Sequence, residues 1–240
     1  LTAEAVAALS GAWLADAAAE HASVAAFSRF ALDLLAFGAP AKLLADAHRD
    51  ALDEVRHARL CAQIGSAIAG APLGPGALPL TGVTVSASLA EAAATAVTEG
   101  CIGETIAAVV AQRSARGAQV VAIATVLDGI AEDETRHAEL AWRFVAWAIA
   151  TGGQPVQAAV SARFEAAFTG QLQPPEQPSD VSPASWRAFG RLTAAEWTLA
   201  ARSALDSVIA PCARQLLDAD PAAARCAPAR FEQGRNAHPA

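Results

Sequence analysis

Apolar residues recur every three or four positions over long stretches of this chain, the spacing that lines one face of an α-helix. In residues 12–36, Trp13, Ala17, Val24, Phe27, Ala31 and Leu34 form one stripe, with Glu20 in its middle. The same periodicity predicts helices over 41–69, 89–116 and 119–150. A short helix over residues 1–10 is expected to break at Ser10-Gly11. Gly38 and Pro40 mark the first turn, Gly70 the second stop, Gly117 the third, and Thr151-Gly152-Gly153 the fourth. Residues 71–82 (APLGPGALPLTG) lack helical pattern, and Ser88-Leu89-Ala90-Glu91 reads as a capping box that opens the third helix. The prediction is therefore all-α. Two antiparallel helical hairpins joined by one longer crossover make a four-helix bundle over residues 1–153.

Residues 154–240 read as a helical C-terminal extension. A fifth helix over 155–168 precedes a Pro-rich loop, 169–182, and Thr193-x-x-Glu196 caps a helix running to Asp218 that bends at Pro211. Trp186, Phe189, Trp197, Leu199 and Val208 give this extension apolar surface to bury. It packs either on the bundle or on a second copy of the chain, as in a homodimer. Residues 221–240 carry no regular pattern and are expected to be mobile.

Composition narrows the partners. With 54% hydrophobic and 17% charged residues, the Ala-rich chain suits closely packed helices. A net charge of −7 without a basic run argues against nucleic acid and anionic membrane surfaces. No run of 18 uncharged apolar residues is present, so no membrane span is expected. Cys61, Cys101, Cys212 and Cys226 form no Cys-x-x-Cys, which points to buried free thiols in a reducing, cytoplasmic compartment. A chain that opens on Leu1 and has no Met is expected to be a trimmed product, with any targeting signal out of view.

The chemistry concentrates in a repeat. Asp53-Glu54-Val55-Arg56-His57-Ala58-Arg59-Leu60 recurs eighty residues on as Asp133-Glu134-Thr135-Arg136-His137-Ala138-Glu139-Leu140. In a helix, positions i and i+3 share a face, so each octet offers a carboxylate and an imidazole to one point. With 13 Glu and 5 His in the chain, chance would give roughly 0.3 Glu-x-x-His pairs, against the two present. Two such pairs are half of a dinuclear metal site, and the other half needs one Glu from each of two more helices.

Glu20 is the candidate from the first helix. The midpoint between it and Glu54 falls at the Gly38–Pro40 turn, so equal helix legs bring the two level. The third helix offers Glu99 and Glu104. The same leg count about Gly117 favours Glu99, and Glu104 lies about 140° around a regular helix from it. Gly100 and Gly103 between them make a π-bulge conceivable, which would change that register. The candidate metal ligands are thus Glu20, Glu54, His57, Glu99, Glu104, Glu134 and His137. Asp53, Arg56, Asp133 and Arg136 read equally as groups that orient those ligands or as ordinary surface ion pairs. His21 and His48 read as polar-face residues. Small residues nearby (Ala17, Ser23, Gly100, Gly103, Ala107, Ala138, Ala141) read either as tight helix packing or as room for a small molecule.

At these residues the chain resembles the ferritin-like di-iron carboxylate superfamily, over residues 12–150. Asp133-Glu134-Thr135-Arg136-His137 is similar to the D-E-x-R-H of bacterial multicomponent monooxygenase hydroxylases. The helix-three Glu followed by Gly resembles the small subunits of ribonucleotide reductase, and rubrerythrins and bacterioferritins share the spacing. The chain departs from these in having no Tyr, hence no tyrosyl radical, and no four-cysteine iron domain. The resemblance implies a non-heme oxidoreductase with two Fe per chain, or Mn, or mixed Fe/Mn. Its partners would be O2 or peroxide, an electron donor and a small apolar substrate. The alternatives are a ferroxidase or iron-storage protein, and a structural bundle that metal merely stabilises; oxygen and imidazole donors suit Fe or Mn and also admit zinc.

Overall fold

The computed structural model describes residues 1–176, 178–179 and 181–218, all helix and connecting loop, with no strand among the described residues. Helix α1 (Ala3–Ala36) starts where the Thr2 hydroxyl accepts from the Ala5 N–H, and ends before Gly38, whose positive φ turns the chain. Helix α2 (Ala41–Ala69) ends at Gly70, also left-handed. Helix α3 (Leu89–Gly117) contains a π-helical segment, Val97–Glu104. Helix α4 spans Val121–Gly152, α5 Gln154–Thr169 and α6 Pro183–Ala188. The last described helix, α7, covers residues 194–218 and has its own π-helical segment, Leu205–Ile209.

Helices α1 and α2 pack along their length, as do α3 and α4, and α2 meets α4. Apart from a smaller third cluster of Ala5, Leu9, Val181 and Trp186, most buried apolar residues fall into two layers. Trp13, Ala17, Cys61, Ala111, Ala115, Leu127 and Ile130 make one. Phe27, Leu34, Ala47, Val97, Leu140 and Phe144 belong to the other. On each of the four long helices, candidate ligands lie between these two layers in sequence: Glu20, Glu54 with His57, Glu104, and Glu134 with His137. The polar cluster is therefore flanked above and below by apolar side chains. The C-terminal extension packs on the four helices: Val156, Val160, Phe164, Ala204, Leu205 and Ile209 join the second layer.

Several local expectations are corrected. Helix α1 does not break at Ser10-Gly11. A single helical Gly costs only about 1 kcal/mol, and this turn carries the fully buried Leu9 and Trp13, while Ser10 donates to Gly65 O at 2.9 Å. Half of the Ser88 capping box forms: Ser88 Oγ accepts from Glu91 N–H, but the Glu91 carboxylate turns to Ala87 N–H. At Pro211 the helix continues, preceded by a π-turn in which Ala210 N–H donates to Leu205 O. Leu199 and Val208 are exposed, and α7 buries Ala200, Ala201, Ala204, Leu205 and Ile209 instead. Helix α3 is long and apolar enough to cross a membrane by length and composition. The expectation of no span counted only charge-free runs, whereas Ala and Val here outweigh a few charges; this same helix carries Glu104 to the polar cluster. Cys61, Cys101 and Cys212 are free thiols. Cys226 and the expected irregular segment 221–240 lie outside the described residues.

Candidate metal centre

The two octets face each other across the α2–α4 contact. Glu54, His57, Glu134 and His137 are all buried. His57 Nδ1 points inward, 3.3 Å from Glu134 Oε1, 3.8 Å from Glu20 Oε2 and 3.9 Å from Glu54 Oε2. His137 Nδ1 lies 2.9 Å from Glu54 Oε1 and 3.2 Å from Glu134 Oε2. Two sets of potential donor atoms result, each within 4.8 Å of one another: Glu20, Glu54, His57 and Glu134, and Glu54, Glu104, Glu134 and His137. Glu54 and Glu134 belong to both. These Glu and His groups are close enough to hold a metal ion.

The donor chemistry fits such an ion. Both Glu54 carboxylate oxygens and His57 Nδ1 are buried and make no hydrogen bond. An unsatisfied buried polar group costs on the order of 1–3 kcal/mol, and a buried unpaired charge more. The close polar neighbours of these atoms are other candidate ligands, a crowding of acceptors that a cation would satisfy. Their proton affinities say the same. Burial, then Glu20 and Glu134 beside it, pushes the Glu54 carboxyl up to about 10. Burial followed by Glu134 pushes Glu104 well above the carboxylate range. Burial alone would lower His57, but the neighbouring Glu134 and Glu20 outweigh it and raise the imidazole to about 9. Glu134 is held well below its usual range, because His137 and His57 outweigh its burial. In this protein protons stand where positive charge is needed.

The remaining octet residues reach across between the helices. His57 Nε2 lies 3.0 Å from Asp133 Oδ2 of the opposite helix. Asp133 is gripped by Arg56 and, at 2.5 Å, by Arg136. Arg136 also donates to Asp53 at 2.8 Å, and Asp53 sits 3.7 Å from His137 Nε2. Each Asp thus faces the outer nitrogen of the other helix's His, an arrangement that leaves Nδ1 free to serve as donor atom. The surface-ion-pair reading of these residues gives way to a bridged, partly buried network.

Glu20, Glu54, His57, Glu104, Glu134 and His137 come together, and Glu99 does not. The Glu99 carboxylate is 51% exposed and accepts from Arg29 at 2.6 Å. Leg counting favoured Glu99 because it assumed a regular helix. Across the π-helical Val97–Glu104 each turn takes more residues, so the register shifts and Glu104 turns inward. A close approach accompanies this: a Cβ on Gly100 would sit 2.3 Å from Ala141 Cβ of α4. His48 is exposed, and neither it nor His21 joins the cluster. Sequence reasoning missed Asp50, which is fully buried, raised by its burial, and grouped with Asp53 and His137. Its signal was faint: it stands one turn before Glu54 on the same helix, with Asp46, Asp53 and Glu54 rather than apolar residues at most of the neighbouring positions.

Two cavities reach the cluster. One, of about 410 Å³, opens between α1 and α3 and ends at Glu104 and His137. The other, of about 440 Å³, ends at Glu20 and Glu134. Ser23, Gly100 and Ala141 line the first, Ala107 the second and Gly103 both, whereas Ala17 and Ala138 are packed in the core. No family model, curated protein or solved structure matches this chain.

Proposed function

We propose that the cluster is the dinuclear metal centre of a ferritin-like oxidoreductase, holding two iron or manganese ions and activating O2 or peroxide for oxidation of a substrate. The observation that carries this reading is the overlap of the two donor sets, sharing Glu54 and Glu134, around a buried Glu54 carboxylate that makes no hydrogen bond and faces the two histidines of those same sets. Glu20 and His57 would hold one ion, Glu104 and His137 the other, with Glu54 and Glu134 available to both. Four carboxylates then balance the charge of two divalent ions, and mixed oxygen and imidazole donors suit iron or manganese. When bound, such a pair supplies redox chemistry with O2 that no side chain here can perform.

The chain's own contribution is positional. Asp133 fixes the His57 ring through Nε2, and the Arg56–Asp133–Arg136–Asp53 network ties that Asp to Asp53, which lies 3.7 Å from His137 Nε2. The apolar layers on either side lower the local dielectric and strengthen the electrostatic contacts between them. Two hairpins joined by the 71–88 crossover support the ferritin-like reading of the four long helices. Metal analysis of the purified chain, with optical spectra before and after O2 meets the reduced form, tests the proposal. It expects about two ions per chain and an oxygen-dependent spectral change. Ferrous iron uptake far beyond that ratio would favour the storage reading, and a chain that takes up no iron or manganese would remove the dinuclear one.

A further inference from the structure

The two cavities lie toward opposite ends of α3 and differ in what encloses them. The first is bounded by α1, α3 and α4, with the Arg29–Glu99 ion pair among its lining residues. The second is covered by the C-terminal extension through Trp186, Arg191 and Trp197. We propose that this second cavity is a binding chamber for an uncharged aromatic molecule, and that the extension exists to roof it. Its role as substrate chamber rests on the dinuclear reading above; its capacity to bind such a molecule does not.

The roof is fixed in place. Trp13 Nε1 donates to Phe189 O at 3.2 Å, and Trp186 Nε1 to Leu192 O at 2.9 Å. The Arg191 guanidinium lies 5.3 Å from the Trp13 ring and 5.8 Å from that of Trp186, and pairs with Asp16. Gln119 and Val120 N–H both donate to Ala188 O, tying the roof to the α3–α4 turn. Gly190 has φ +74°, and a Cβ there would meet Ile123 and Leu127 at 2.6 and 2.7 Å, so the roof is pressed against α4.

The same contacts define the occupant. Two of the three indoles have already given their N–H to backbone carbonyls, so they offer the cavity only aromatic surface. The Arg191 charge is taken up by Asp16, which leaves Glu20, Glu134 and Glu176 at the wall and disfavours an anion. Burial pushes the Cys61 thiol up, making it a neutral wall group. A volume of about 440 Å³ falls in the range of about 300–1,000 Å³ typical of small-molecule sites. A flat, neutral, ring-bearing molecule satisfies all four constraints, with its inner edge toward Glu20 and Glu134.

The test uses the full chain, metal-free and metal-loaded, with 1-naphthol as probe and 1-naphthoate as its anionic counterpart. Calorimetry is expected to show 1-naphthol binding to both forms, with 1-naphthoate at least about tenfold weaker. Ala107→Phe, which fills the second cavity, should weaken 1-naphthol by about tenfold or more, while Ala26→Phe, on the first cavity, should leave it unchanged. Trp197→Ala, on the roof, should weaken it as well and decides the matter if Ala107→Phe does not fold. Equal binding of naphthoate, or loss through Ala26→Phe instead of Ala107→Phe and Trp197→Ala, overturns the proposal. Metal uptake on loading keeps the readings apart: naphthol binding by a chain that takes up no metal supports the chamber and sinks the dinuclear centre, and metal uptake without naphthol binding does the reverse.

Discussion

The hairpins α1–α2 and α3–α4 deliver the same kind of ligand set by different means. In the first, Glu20 reaches the level of Glu54 and His57 on regular helices, and equal legs about the Gly38–Pro40 turn suffice. In the second, the equivalent count lands on Glu99, which faces Arg29 rather than the cluster. The inserted π-helical turns pass the task to Glu104. Repetition in sequence therefore fixed what each octet does but not which carboxylate completes it. A pattern survives translation into space only where the backbone between its members stays regular.

Removing the feature common to both hairpins should have the largest effect. His57→Ala with His137→Ala takes one imidazole from each donor set and is expected to abolish nearly all metal binding, measured as metal per chain; full retention would place the site elsewhere. Next comes the contrast between hairpins. Glu104→Ala should cost roughly half of the bound metal, because only one donor set contains it. Glu99→Ala should leave metal content intact and remove only its ion pair with Arg29. The reverse outcome would mean that metal binding draws Glu99 inward and that the register of a regular helix is restored.

What was readable in the sequence follows the same division. The helices, their turns at Gly38, Gly70 and Gly117, and five of the six clustered donors lie in regular segments, where spacing translates directly into faces. The sixth was readable only as one of two alternatives, because hydrophobic periodicity does not report a π-segment; Gly100 and Gly103 were the sole hint. The crossing of Asp53 and Asp133 to the opposite helix, and the roof over the second cavity, depend on contacts between segments far apart in the chain. Leu199 and Val208 illustrate the limit: both sit in a helix, but the face it buries is the one carrying Ala200, Ala201, Ala204, Leu205 and Ile209.

The π-segment itself can be tested through stability. Gly100→Ala would place a methyl group 2.3 Å from Ala141 Cβ, so α3 and α4 must separate, at a cost of about 1–3 kcal/mol. Gly103→Ala meets only Thr98 O at 3.4 Å, and the better helix propensity of Ala, worth up to about 1 kcal/mol, offsets that contact. Thermal melts of the metal-free chain should show Gly100→Ala several degrees below the parent and Gly103→Ala close to it. Equal melting of the two variants would mean that the close approach of the second hairpin does not constrain it.

The smallest expected effect is a slope with pH, read on the parent chain without metal. The folded state holds Glu54 at about 10 against an ordinary 4.5, and His57 at about 9 against 6.5. Between pH 6.5 and 9 the folded chain therefore keeps protons that the unfolded chain has released, and stability falls as pH rises. Glu134, held low, acts with the opposite sign only below its ordinary pKa of 4.5, in the acid range. Metal ions replace these protons, so their affinity rises with pH and they are released against bound metal. The melting temperature of the metal-free chain should decline steadily from pH 6.5 to 9, and loading with metal should flatten or invert the trend. Glu54→Gln should remove part of the decline, because its amide carries no titrating proton. A metal-free chain whose melting temperature is flat or rising over this range would show that its buried carboxylates are not held protonated, and the charge argument for a cation between the hairpins would fail with it.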